Sequence, residues 1–364
     1  MKKITLVFGT RPEAVKMCPL ALELKTRASF ETRVVVTGQH REMLYQAMAP
    51  FGVVPDRDLD IMTEGQTLFD ITQRVLDGMR AELEAHRPDV LLVHGDTTTA
   101  FASALAAFYM EIPVGHVEAG LRTYDTLNPF PEEYNRQATD IVSRFSFAPT
   151  EVTRDNLLRE GKRPDTVFVT GNTELDALRY TVKSDYSHKE LDWAADSRLV
   201  LMTAHRRESL GDTMRGIFKA VRRVLDERPD VKIIYPVHLN PAVRSAARET
   251  LGNHPRVHLI DPLGVADFHN FIARASLVLT DSGGLQESAP ALRKPVLVLR
   301  DATERPEGLE AGTLRLAGTS EAGVYREFKR LLDDNELYER MSKAPNPYGD
   351  GFASKYIADI LEEQ

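Results

Sequence analysis

At about 150 residues per domain, a chain of 364 residues has room for two domains, and 42% hydrophobic with 27% charged residues excludes disordered and collagen-like classes. No apolar run reaches the ~20 residues of a membrane helix, and the N-terminal apolar stretch ends at Gly9, too short for a secretory core, so a cytoplasmic protein is expected. The single cysteine, Cys18, excludes internal disulfides and thiolate clusters, and a formal net charge of -8 leaves no whole-chain footprint for nucleic acid.

In chain order, short β-branched runs alternate with helical stretches. The predicted strands are Ile4–Phe8, Arg33–Thr37, Val90–Val93, Val114–Val117, Phe145–Ala148 and Val167–Thr170, then Leu199–Thr203, Val231–Tyr235, Val257–Ile260, Leu277–Thr280, Val296–Leu299 and Leu314–Leu316. They are apolar throughout rather than alternating, which predicts strands buried on both faces of parallel sheets. Between them lie the amphipathic segments Leu68–His86, Thr98–Met110, Met214–Glu227 and Val324–Leu332. The repeated strand–helix–strand order implies an α/β fold of two doubly wound, Rossmann-like domains facing across a cleft. The polar stretch Thr181–Ser197 reads as a linker near the boundary, although its Asp192-Trp193 pair could dock, so the domains are expected at 1–180 and 181–350, with 351–364 forming a last helix (Ala353–Glu362) that returns to the first domain.

In parallel sheets the residues just after each strand line the ligand crevice. After the first strand comes Gly9-Thr10-Arg11-Pro12-Glu13, then a helix carrying Lys16; Gly9 allows a tight turn, Pro12 suits the first helical position, and free N–H groups there attract an anion. Asp281-Ser282-Gly283-Gly284 follows Leu277–Thr280 and opens another helix, where the Gly-Gly backbone can approach an oxygen-rich ligand. His205-Arg206-Arg207-Glu208-Ser209 follows Leu199–Thr203. A strand–glycine–helix turn alone is as readily a simple reversal, and Arg206 and Arg207 alone read as solvated charges. Three donor-rich loops in an acidic chain point to a diphosphate. The dinucleotide pattern G-x-G-x-x-G and the P-loop pattern are both absent.

Acidic groups follow other strands: His94-Gly95-Asp96, His116-Val117-Glu118, and Glu132-Glu133 opening a helix. Asp96 reads equally as a helix N-cap, and Glu132 or Glu133 as a first-turn acid favoured by the helix dipole. Glu118, in an apolar and glycine context, needs a partner or a purpose. Converging carboxylates can serve as acid and base at separated pKa values. His94, His116 and Asp96 lack the spacing of metal ligands on one element, so no metal is expected.

GTRPEAVKMCPL, TGQHREML, VHGDTTTAFASALAAFY, PVGHVEAGLRT, PFPEEYNRQ, HRRES, YPVHLNP, DSGGLQESAP and LRDATERPEGLEAGT, in this order and across nearly the whole chain, resemble the non-hydrolysing UDP-N-acetylglucosamine 2-epimerases. The resemblance implies the two-domain fold of GT-B-type glycosyltransferases and a cytoplasmic homodimer without cofactor. It also implies interconversion of UDP-N-acetylglucosamine and UDP-N-acetylmannosamine for bacterial surface polysaccharides. It assigns catalytic roles to Lys16, Asp96, Glu118, Glu132 and His205. Diphosphate contacts fall on Arg11, Ser282, Gly283, Gly284 and Arg305, with Phe268 beside the uracil. In members that bind a second, activating nucleotide sugar, its contacts map to Gln39, Glu42, Arg206 and His238, with Glu132 in reach.

Two positions depart from the family pattern. Ser288 stands where the family has a glutamate on the ribose hydroxyls, which weakens that grip or routes it through water. Gly65 stands where some members carry an arginine that reaches the second nucleotide sugar. The alternatives are a UDP-sugar glycosyltransferase of the same fold, a hydrolysing 2-epimerase, an epimerase of a modified UDP-2-acetamido sugar, and a nucleotide-sugar sensor without catalysis.

Overall fold

The computed structural model describes residues 1–38 and 41–364; for Arg41 and Arg207 only the backbone is described. The chain divides into two compact units, Met1–Tyr180 with Tyr348–Gln364, and Thr181–Pro347. Among the described residues no helix is long and apolar enough to cross a membrane.

The first unit contains β1 (Lys2–Phe8), β2 (Phe30–Val36), β3 (Arg57–Asp58), β4 (Val90–His94), β5 (Val114–Val117), β6 (Phe145–Ala148) and β7 (Val167–Val169). They form one sheet in the order β3-β2-β1-β4-β5-β6-β7, every pairing parallel. Six strands were expected in this half; the seventh, β3, is two polar, partly exposed residues at the sheet edge and has no apolar run to reveal it. All five residues of β4 and all four of β5 and β6 are buried, as two-sided burial demands. The helices Leu68–Ala85 and Thr98–Tyr109 cover one face, where Ile71, Val75, Met79 and Leu83 pack with Ala100, Ala104 and Ala107 over Val7, Leu91 and Val93.

The second unit contains β8 (Arg198–Thr203), β9 (Val231–Pro236), β10 (Val257–Ile260), β11 (Leu277–Thr280), β12 (Val296–Val298) and β13 (Leu314–Leu316), in the order β10-β9-β8-β11-β12-β13 and again all parallel. The helices Asp212–Glu227 and Glu321–Asp333 bury Phe218, Val221, Leu225, Val324, Phe328 and Leu331 on one face of it.

Thr181–Ser197 is not a free linker. Lys183 N donates to Asn270 Oδ1 (2.9 Å), the Tyr186 hydroxyl donates to Asp267 (2.6 Å), and Arg274 donates to the Lys183 and Tyr186 carbonyls. A short helix, Lys189–Ala194, buries Leu191 and Ala194, and Trp193 stacks on His258 with ring centroids 3.5 Å apart. These anchors are side-chain hydrogen bonds from a distant helix, which leave no periodicity in the segment itself.

In both sheets the order reverses once, between β1 and β4 in the first unit and between β8 and β11 in the second. Ligands of open parallel sheets bind outside the carboxyl ends of the strands at such a reversal. The loops there are tightly built. Gly120, at φ +85°, lies so near the helix Glu151–Arg159 that a Cβ would stand 2.2 Å from the Thr153 carbonyl oxygen. Gly120→Ala is therefore expected to cost at least about 2 kcal/mol in urea denaturation, combining left-handed backbone with a backbone clash. An unchanged midpoint would refute the tight fit.

Candidate active site

The first unit gathers its singled-out residues at the ends of β1, β4 and β5. Thr10 caps the helix Arg11–Thr26, so Arg11 takes the first helical position and Pro12 the second, one later than the sequence reading. The loop is held by Glu13. Its Oε2 accepts from Gly9 N (3.0 Å), Thr10 N (2.8 Å) and the Thr10 hydroxyl (2.8 Å), and its Oε1 from the Thr97 hydroxyl (2.8 Å). Burial nonetheless pushes the Glu13 carboxyl above its ordinary range. Arg11 is half-buried and forms no ion pair among the described residues.

Glu118 directly follows β5 with φ +66°, a left-handed conformation that costs a non-glycine residue about 1–3 kcal/mol. Neighbouring backbone bonds fix it there, Gly95 N to Val117 O (2.9 Å) and Ala119 N to Phe147 O (3.1 Å). Its carboxylate forms a short ion pair with Lys16, accepts from Asn172 Nδ2 (3.2 Å) and lies 3.7 Å from His94 Nε2. Lys16 also faces Glu174 at 3.7 Å. A strained, cross-braced carboxylate at a strand end is the arrangement expected of a functional group.

Asp96 is not a helix cap: Thr97 fills that role, accepting from Ala100 N (3.0 Å). The Asp96 carboxylate instead receives Arg136 Nη2 (2.8 Å) and Nε (3.0 Å), while Asn135 holds its carbonyl (2.9 Å). The two glutamates that the sequence left open part company. Glu133 is fully buried, accepting from Thr123 N, Tyr124 N, Gln137 and Arg136, and so serves the loop. Burial is the largest influence on its carboxyl and raises it, yet these donors hold it below the ordinary range. Glu132 opens the helix Glu132–Val142 one turn before Asn135 and Arg136, and its buried Oε2 has no hydrogen-bond partner.

The second unit gathers donors at the ends of β8 and β11. Asp281, 1% exposed, accepts from His205 N (2.6 Å) and Arg206 N (2.8 Å) and pairs with His205 Nδ1 (3.2 Å). The Tyr235 hydroxyl donates to the Ala204 carbonyl (2.5 Å), pinning the same loop. Ser282 caps the helix Gly283–Ala291, and the Arg305 guanidinium lies over Gly283, where a Cβ would meet Nη2 at 3.7 Å. Arg305 forms a short ion pair with buried Glu287. Gly284 follows Gly283 in the first turn. Ser288, 2% exposed, turns its hydroxyl back onto the Gly284 carbonyl (3.1 Å). Phe268 is half-buried on the helix Val265–Arg274.

Of the second-site residues, Arg206 Nε donates to the Asp281 carbonyl (3.3 Å), and exposed His238 stacks on His205 with centroids 5.3 Å apart. Glu42 is exposed in the first unit, and Gln39 lies outside the described residues. A cavity of about 500 Å³ in the second unit lies beside β10, lined by Arg244, Arg248 and Leu263 among others, away from Ser282 and His205.

The chain matches the family model described as UDP-N-acetylglucosamine 2-epimerase over residues 22–362. It is 56% identical over 359 residues to the UDP-N-acetylglucosamine 2-epimerase of Bacillus subtilis, covering 99% of this chain and 94% of that one. The chain belongs to the UDP-N-acetylglucosamine 2-epimerase family. It is accordingly an enzyme of the isomerase class. The solved UDP-GlcNAc 2-epimerase of Neisseria meningitidis, bound to UDP-GlcNAc, superposes with a TM-score of 0.89 at 44% identity, each chain fully covered. The glycotransferase of kitacinnamycin, at 14% identity and a TM-score of 0.69 over 100% of this chain and 98% of its own, shares the GT-B-type fold alone.

Sequence reasoning passed over Glu13, Asn172, Glu174 and Asp140, whose partners lie far along the chain, and weighed His94 only as a metal ligand. His94 is buried, and neither ring nitrogen has a hydrogen-bond partner. Burial, the largest influence, lowers its pKa to about 3, against an ordinary value near 6.5. The folded protein thus keeps His94 neutral while the unfolded chain protonates it below about pH 6.5, so stability present above that pH falls as pH drops toward 3. Between pH 7 and pH 5 the wild type is expected to lose about 2 kcal/mol more unfolding free energy than His94→Gln in urea titrations. Equal losses would contradict a neutral buried ring.

Proposed function

We propose that this chain reversibly inverts carbon 2 of UDP-N-acetylglucosamine, giving UDP-N-acetylmannosamine by a non-hydrolysing course without a cofactor. The observation that carries this reading is the division of labour at the two sheet reversals. One unit presents carboxylates (Asp96, Glu118, Glu132) beside Arg11 and Lys16; the other presents diphosphate donors (Ser282, Gly283, Gly284, Arg305, His205).

The carbon-2 hydrogen of the sugar is not acidic, since no carbonyl adjoins it, so direct carbanion formation is unfavourable. In the α-linked gluco sugar that hydrogen and the leaving oxygen on carbon 1 are both axial and opposed. Anti elimination is therefore available: Glu118 takes the proton, the C–H electrons form the ring double bond, and UDP departs with the C–O electron pair. Arg11, His205, Arg305 and the Ser282-Gly283-Gly284 turn stabilise the charge growing on the diphosphate, the kind of term that usually dominates. The products, UDP and 2-acetamidoglucal, stay bound, because free water would hydrolyse the cation-like species on the way. Asp96 or Glu132, having taken a proton from solvent while Glu118 returns its own there, then delivers it to the opposite face of carbon 2 as UDP re-adds to carbon 1 in the syn sense. Phe268 lies by the uracil. Ser288, its hydroxyl already engaged with Gly284, makes a weaker ribose contact than a glutamate.

We also propose a cytoplasmic homodimer serving surface polysaccharide synthesis, with Arg206, His238, Glu42 and Gln39 on a second, activating nucleotide sugar. A dimer is supported by Phe69, Phe108, Tyr109, Tyr134 and Ile141, apolar side chains more than half exposed on three adjoining helices of the first unit.

Proton NMR of UDP-N-acetylglucosamine in heavy water with the enzyme alone tests the activity. The manno isomer, with deuterium at carbon 2 of both sugars, is expected. Free N-acetylmannosamine would indicate a hydrolase, and an unchanged spectrum would leave a transferase or a sensor.

A further inference from the structure

We infer that His116 is a buried imidazolium that fixes the relative positions of the Asp96, Glu118 and Glu132 segments, a positioning residue for the two proton transfers. His116 lies within β5 and is 0% exposed. Its Nε2 is 2.7 Å from the Gly95 carbonyl oxygen and its Nδ1 is 2.6 Å from Asp140 Oδ1. A carbonyl only accepts. The other Asp140 oxygen accepts from Arg122 Nη2 (2.7 Å) and Gly120 N (3.2 Å), and the guanidinium charge favours the ionised carboxylate. Burial alone raises the Asp140 carboxyl, but His116 first and then Arg122 outweigh it and hold it below the ordinary range. A neutral imidazole has one N–H and, against an ionised Asp140, would leave an acceptor facing an acceptor on one side; the doubly protonated ring satisfies both oxygens.

The charged groups packed around the pair are Arg122, Glu160 and Lys162. Arg122 also pairs with Glu160 at 2.7 Å, Lys162 lies within electrostatic reach of Asp140, and His94 is neutral. Breaking a buried pair by removing one partner is costly, whereas an intact one contributes little net stability and can specify geometry.

The geometry it specifies is that of the reacting groups. Gly95, at φ +65°, sits between His94 and Asp96. Gly120, at φ +85°, stands two residues beyond Glu118. Asp140 belongs to the helix that begins at Glu132 and carries Arg136, the partner of Asp96. One imidazolium–carboxylate pair thereby ties together the three segments bearing the three carboxylates. None of its members is placed on the substrate.

What the clamp positions rests on the epimerase reading; the charge of the ring does not. Full-length protein labelled with ¹⁵N-histidine is expected to show a proton on both His116 ring nitrogens, assigned by loss of the signals in His116→Gln. That variant is expected to lower kcat about 10²-fold with KM little changed, since displacement by about 1 Å costs that much. A neutral tautomer in the wild type, or a variant with wild-type kcat, overturns the inference; if the variant does not fold, the wild-type spectrum decides it. Failure of the epimerase reading would show differently, as absence of carbon-2 exchange in the wild type.

Discussion

Glu118→Gln is expected to abolish deuterium uptake at carbon 2, lowering exchange on the order of 10³-fold or more, while UDP binding is retained. The substitution keeps shape and volume and removes only the ability to take a proton. Lys16 keeps Glu174 at 3.7 Å as its counter-charge, and the Asn172 amide still finds an oxygen at position 118, so the fold should survive. The left-handed backbone of residue 118 is set by the flanking bonds of Val117 and Ala119, not by the carboxylate. The loss would therefore report chemistry rather than collapse. Exchange at the normal rate in this variant would remove Glu118 as the base and shift that role to Asp96 or Glu132.

Arg11→Ala is expected to lower kcat/KM about 10²-fold or more, well beyond the removal of one surface charge. Arg11 opens the helix at the sheet reversal, so its guanidinium and the free N–H groups of that first turn favour the same anion. Glu13 supports the loop through four hydrogen bonds that do not involve the Arg11 side chain. Alanine at the first helical position leaves those bonds in place. Arg11→Lys should fall between the two, having charge without the planar fork that suits phosphate. An unchanged rate for the alanine variant would dissociate Arg11 from the leaving group.

The strands were readable where two-sided burial forces apolar runs, as in Val114–Val117, Phe145–Ala148 and Leu277–Thr280; the partly buried edge strands Val257–Ile260 and Leu314–Leu316 also appear with the bounds expected. β3 was not readable, since Arg57–Asp58 has no apolar content. The loops after the strands could be found from the same runs, and with them Gly9 to Lys16, Asp96, Glu118 and Ser282 to Gly284. Which neighbour in a pair does what could not. Thr97 rather than Asp96 caps its helix, and Glu133 rather than Glu132 anchors the loop, because each outcome depends on where a distant donor arrives: Arg136 in one case, Thr123 and Tyr124 in the other. Glu13, Asn172 and Asp140 likewise act through partners tens of residues away. Thr181–Ser197 read as a linker for that reason, its anchors being Asp267, Asn270 and Arg274, while the docking left open for its Asp192-Trp193 pair is seen in Trp193 on His258.

The last segment of the chain completes the first unit. The Lys2 ammonium donates to the Leu361 carbonyl (2.6 Å), the Asp176 carboxylate receives Ala353 N (3.1 Å) and Ser354 N (2.8 Å), and Arg27 pairs with Glu362 (2.9 Å). During synthesis on the ribosome, the half that emerges earliest must wait for the latest residues before its surface closes, whereas Thr181–Pro347 has all its own residues sooner. Such distant closure slows folding. The region bearing Asp96 and Glu118 is thus the later of the two to mature, and a nascent chain stalled before Tyr348 would carry all of the second unit beside an unfinished first one.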